Sequence, residues 1–136
     1  MNTWLKIGGA LLAVMTSAGL HAQPAALAAP SMVLRQPVTG MPTGAQQEVR
    51  VLTASFTPGM RTPFHSHRSP VTVYVLEGAF TLELDGKEPV VIQAGQAYVE
   101  PPNTKMTGYN RSSTDALRVV IFYVSDPDTP FLDPVR

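Results

Sequence analysis

The stretch GMRTPFHSHRSPVTVYVLEG, residues 59–78, decides how this chain is read. It holds two of the three histidines in the sequence, His65 and His67, one residue apart. On a β-strand, residues i and i+2 face the same way, so an H-x-H pair brings two imidazoles to one point while Ser66 points away. Two such nitrogens suit a divalent transition metal: zinc, iron, manganese, nickel or copper. An H-x-H pair alone more often holds no ligand, so the surrounding spacing has to decide.

On either side the chain reads as short strands punctuated by turns. Glu48 to Thr57 alternates loosely and stops at Pro58-Gly59; Val71 to Leu76 is β-branched and aromatic and ends at Glu77-Gly78. Ala79 to Leu84 alternates cleanly up to Asp85-Gly86, a hairpin signal. Pro89 to Ile92, Ala97 to Glu100 and Thr104 to Tyr109 follow, and Pro101-Pro102-Asn103 separates the last two. Leu117 to Val124 is nearly all apolar, which predicts a central strand buried on both faces. Beyond the first residues, no window of helical length has a period near 3.6. Evenly spaced strands with Gly and Pro turns predict an all-β fold, an antiparallel sandwich or barrel. The 13 prolines fit loops and strand ends better than helices.

The spacing then becomes specific. Gly59, five residues, His65, one residue, His67, and later Gly78 resemble the first motif of the cupin superfamily, Gly-x5-His-x-His-x3/4-Glu-x6-Gly. Gly95, Pro101 and Asn110 fall in register with the second, Gly-x5-Pro-x-Gly-x2-His-x3-Asn. The resemblance covers about residues 48 to 124. It implies a double-stranded β-helix, a cupin jelly-roll barrel with its site inside. It also implies a metal held by His65 and His67.

Two of the four ligand positions depart from the family. Val71 stands where the first motif has its Glu, and Thr72, the neighbouring choice, is a poor ligand as well. Met106 stands where the second motif has its His, and Asn103 where it has its Gly. Two histidines alone would leave most coordination positions to water. Glu100 can restore a carboxylate if it faces inward; otherwise it is a surface acid. Met106, with Met60 near in sequence, suggests a thioether site for Cu(I), although Met is also an adaptable core filler. Glu77 is a third candidate, at a turn where solvent exposure is expected. Tyr74, Phe80, Tyr98, Tyr109, Phe122 and Tyr123 line a pocket or simply build the sheets. Arg61, Arg68, Arg111 and Arg118 either meet an anionic ligand at the barrel mouth or are scattered solvated charges.

The beginning of the chain reads as an export signal. Lys6 gives a basic start, Ile7 to Leu20 is apolar and too short for a comfortable membrane span, and small residues follow. Residues 1–22 are therefore expected to be a signal peptide, with cleavage near residue 28 as the alternative. Together with the absence of cysteine, this points to a periplasmic or secreted protein that folds without disulfides. Removing that segment leaves nine basic against ten acidic residues and no basic stripe, which argues against nucleic acid as a partner. The expected organisation is an extended leader with a short strand over 23–40, a cupin barrel over 41–126 and a C-terminal tail over 127–136.

Three functions compete. One is an exported single-domain cupin with an atypical divalent-metal site on His65 and His67, possessing no identified reaction. Another is a metal-free module that binds a small molecule. The third is a metal-assisted oxygenase, isomerase or hydrolase acting on a small organic substrate, with catalytic residues unassigned. Fold alone does not choose among them. Met32-Val33-Leu34 and the tail, with Phe131 and Leu132, have no evident partner in their own chain, so a homodimer covering open sheet edges is expected, the alternative being that both segments fold back over their own barrel.

Overall fold

The computed structural model describes residues 27–136. The export segment expected over 1–22 and both ends of its apolar run lie outside the described residues. Ser31–Arg136 forms one compact unit. Its nine strands are β1 (Glu48–Phe56), β2 (His65–Ser66), β3 (Val71–Glu77), β4 (Ala79–Leu84), β5 (Val90–Gln93), β6 (Ala97–Glu100), β7 (Met106–Asn110), β8 (Leu117–Ser125) and β9 (Asp133–Pro134). No helix occurs among the described residues.

The strands make two antiparallel sheets, ordered β1-β8-β3-β6 and β5-β4-β7-β2-β9. Their inner faces meet in one apolar core containing Phe56, Val73, Val75, Phe80, Leu82, Ile92, Leu117 and Val119. The period-two pattern explains which residues enter it. On β3, Val71, Val73 and Val75 are buried while Thr72 and Tyr74 between them are only half-buried. This is the all-β double-stranded β-helix that the motif spacing implied.

The glycines and asparagines of the motifs have structural causes. Gly78 turns β3 into β4 with φ of 77°, and a side chain there would run into the Ala116 carbonyl. Asn103, where the family pattern has Gly, adopts φ of 54°, a left-handed conformation that Asn tolerates better than most residues. Its N–H donates to the His67 carbonyl at 2.7 Å, tying the Pro101-Pro102 turn to the histidine segment. Asn110 is buried and its amide donates to the Phe56 carbonyl at 3.2 Å and the Asp115 carbonyl at 2.7 Å. Its side-chain oxygen accepts from the Ser112 N–H at 3.1 Å, so this buried polar group is satisfied.

Three expectations are corrected. β8 lies centrally between β1 and β3 but is not buried on both faces: Phe122 is 44% exposed, because its outer side faces only the leader. The leader forms no strand over its described residues; Leu34, Gln36 and Val38 instead border a groove against Pro70, Thr72, Val99, Phe122 and Val124. The tail does have a partner in its own chain. β9 pairs with β2, Ser66 opposite Asp133, and the Val135 N–H donates to the Phe64 carbonyl at 2.9 Å.

Candidate metal centre

His65 opens the short β2 strand and His67 follows directly after it; both imidazoles are buried. The His65 Nδ1 lies 2.7 Å from the Pro63 carbonyl oxygen, and the His67 Nδ1 lies 2.6 Å from the Phe131 carbonyl oxygen. A carbonyl oxygen only accepts, so each Nδ1 carries the proton and donates it. In the neutral imidazoles both Nε2 atoms then present lone pairs inward. They face each other at 3.1 Å.

A third donor comes from the opposite sheet. Glu100 closes β6, where it lies directly across from Val71 of β3, and both residues are buried. Its Oε2 lies 3.2 Å from the His67 Nε2. Glu100 thus returns a carboxylate to the interior on the strand next to the one that lost it. Three electron-pair donors converge with no hydrogen-bond donor between them unless an imidazole takes up a proton. Such an arrangement favours a cation at that point.

The fit to a metal can be judged from the edges of this group. Bonds of about 2.0–2.2 Å to a tetrahedral ion put adjacent donors about 3.3 Å apart. The two observed edges, 3.1 and 3.2 Å, are within a few tenths of an ångström of that. The third edge is open, since His65 and Glu100 meet only through His67. Among the described residues, no three His, Cys, Asp or Glu groups are placed so that they could hold a metal ion as they stand. The residues supply the donor types of a two-histidine, one-carboxylate set, but as placed they do not enclose an ion. Both Nδ1–H groups are already held by carbonyls, the outer support that metal-binding imidazoles ordinarily have.

Electrostatics favour the ligand form of His65. Burial holds its imidazole below the ordinary value of 6.5, and neighbouring His67 lowers it further. The Pro63 carbonyl and the Glu100 carboxylate pull in the other direction.

The centre opens into an interior cavity of about 50 Å³, lined otherwise by apolar side chains such as Phe56, Val73, Phe80, Ile121 and Phe131. Gly108 borders it, and a side chain at Gly108 would collide with the Phe80 ring. Wider hollows on the surface, of about 480 Å³ by Arg61 and Lys87 and about 550 Å³ by Met32 and Tyr98, contain no histidine.

The other candidates are placed elsewhere. Met106 is fully buried and directly opposite His65 in the β2/β7 pairing, but it belongs to the apolar core and does not line the cavity. Met60 is 46% exposed and Glu77 is exposed at the end of β3, so neither joins the histidines. Arg68 makes a two-point ion pair with Asp133 at 2.8 and 2.9 Å, and Arg61 stacks on Tyr109. The contribution of the tail escaped the sequence reading, because a backbone carbonyl acting on His67 leaves no trace in residue identity.

Comparison with known proteins gives a consistent fold. The family model described as "Cupin domain" matches residues 52–123. No curated protein matches the sequence. Among solved structures, a cupin-like protein from Thermotoga maritima is 22% identical with a TM-score of 0.56, covering 64% of this chain and 64% of that one. An RmlC-like cupin family protein with a double-stranded β-helix fold from Methanocaldococcus jannaschii is 25% identical with a TM-score of 0.53, covering 61% and 71%. The polyketide cyclase RemF from Streptomyces resistomycificus is 23% identical with a TM-score of 0.55, covering 68% and 63%. The chain therefore spans just under two thirds of the length of the Thermotoga protein.

Proposed function

The chain belongs to the cupin domain family, and on that premise we propose that it holds a single divalent transition metal on His65, His67 and Glu100. The observation that carries this reading is the pair of bare Nε2 atoms 3.1 Å apart with a carboxylate oxygen 3.2 Å from one of them. Two nitrogens and one oxygen suit zinc, iron, manganese, nickel or copper(II). When bound, the ion supplies Lewis acidity at its remaining open positions. The Pro63 and Phe131 carbonyls hold the two imidazoles in the liganding tautomer. The apolar lining limits water around the centre. An activity on a small organic substrate, of the oxygenase or isomerase type, would use these same groups.

The open edge between His65 and Glu100 favours a second reading. Without metal, the apolar-lined cavity would serve as a small-molecule binding module.

Elemental analysis of the untagged protein separates the two readings, compared with the His65→Ala, His67→Ala double variant. The metal reading expects about one equivalent of a transition metal, lost in the variant while the circular dichroism of the sheets persists. An equal content in both proteins defeats it.

The export-like segment extends the proposal to a periplasmic or secreted location, which fractionation of the producing cells would check. The open edge of β1 extends it to a homodimer.

A further inference from the structure

The tail is attached to the barrel at several points. Arg50 Nη2 donates to the Thr129 carbonyl at 2.8 Å, His67 Nδ1 to the Phe131 carbonyl at 2.6 Å, and Arg68 to the Asp133 carboxylate at two points. The Phe131 ring lies 5.0 Å from the His67 ring and 5.6 Å from the Tyr123 ring. Phe131 and Leu132 form part of the cavity wall.

No residue from Thr129 to Val135 is buried, β9 is a two-residue strand at the edge of its sheet, and the Arg68–Asp133 pair is exposed to solvent. Segments with few buried residues and exposed hydrogen bonds are those of a fold that open most readily.

The cavity under the tail is also small. At about 50 Å³ it has room for a few water-sized molecules. An organic ligand therefore reaches the histidines only when Phe131 and Leu132 withdraw.

We propose that Thr129–Val135 is a strap which, when closed, fixes His67 through the Phe131 carbonyl and admits only water-sized molecules, and which opens to admit organic ligands. The inference builds on the reading of His65, His67 and Glu100 as the functional centre. Strap opening releases the His67 Nδ1–H, so access and ligand positioning are linked through one hydrogen bond.

The test uses diethyl pyrocarbonate, which acylates neutral imidazole and is too large for the closed cavity. It is run on metal-free protein, with the sites mapped by peptide mass spectrometry, so its result is separable from that of metal analysis. Ser66→Cys with Asp133→Cys places two cysteines opposite each other in the β2/β9 pairing, in a chain with no other cysteine. Antiparallel partners have the Cα separation that a disulfide needs. Oxidation should slow acylation of His65 and His67 on the order of tenfold, as expected for suppressed local opening. Dithiothreitol should restore the rate, and Phe131→Ala should raise it above that of the unmodified protein. Equal rates in the oxidised and reduced forms would overturn the proposal. Should Phe131→Ala fail to fold, the oxidised and reduced pair decides alone.

Discussion

Glu100 and Val71 face each other across the β3/β6 pair, both turned into the interior. The family pattern has its carboxylate at the position of Val71. Here the neighbouring strand carries it, at the directly opposed residue. In an antiparallel pair, directly opposed side chains share a face with Cβ atoms about 4.5–5.5 Å apart. A glutamate is long enough to reach the same interior point from either side.

This relationship gives a direct test. Glu100→Gln should weaken zinc binding by about 10–100-fold, since an amide oxygen is a neutral and poorer donor. Val71→Glu combined with Glu100→Val should recover most of the loss. Isothermal titration calorimetry on the three proteins reads both effects. A swap variant no better than Glu100→Gln would show that the two positions do not serve one point.

Met106→His places an imidazole directly opposite His65. Zinc affinity should rise by about tenfold or more, which is about 1.4 kcal/mol. The metal-free protein should lose about 1–3 kcal/mol in urea unfolding, because Met106 is wholly buried among apolar side chains. Unchanged affinity with the stability loss intact would mark position 106 as packing only.

The metal-free protein should become less stable in acid. His65 is held below 6.5 by burial, so the unfolded chain binds its proton first. Where the unfolded state carries more protons, stability falls as pH falls. The contribution is complete above 6.5 and declines as pH drops from 6.5 toward the lowered folded value. Thermal melts of the parent and His65→Gln between pH 8 and pH 5 should show a steeper decline for the parent. Parallel curves would contradict it.

β1 is a nine-residue edge strand with Val49 68% and Val51 61% exposed. An uncovered apolar edge of that length favours pairing with a second copy about a two-fold axis. Light scattering at micromolar concentration should return a dimer mass, and Val51→Lys should shift it toward the monomer. A monomer mass that persists at high concentration refutes the dimer.

Most of the fold was legible because its signals are local. The hairpin at Asp85-Gly86, the clean alternation of residues 79–84 and the two glycine-framed motifs each depend on neighbours in sequence. β4 and β6 were read at their observed limits for that reason. The inward direction of His65 and His67 was legible from the i, i+2 rule. Glu100 was legible only as a candidate, because its face depends on the register of β6 against β3. The tail was misread: Phe131 and Leu132 look unpartnered until the chain is folded, and a main-chain acceptor has no residue signature. The outer face of β8 was misread because an unbroken apolar run does not reveal what covers each side.

The position of the centre between the sheets has a consequence for folding kinetics. His65 belongs to the five-stranded sheet, with His67 directly after its strand, and Glu100 to the edge of the four-stranded one. These groups meet only after the two layers dock, and the tail that steadies His67 arrives from the far end of the chain. An ion bound there would find no complete set of donors in the transition state if docking comes late. It would then leave the refolding rate nearly unchanged and act on the unfolding rate, lengthening the lifetime of the native state.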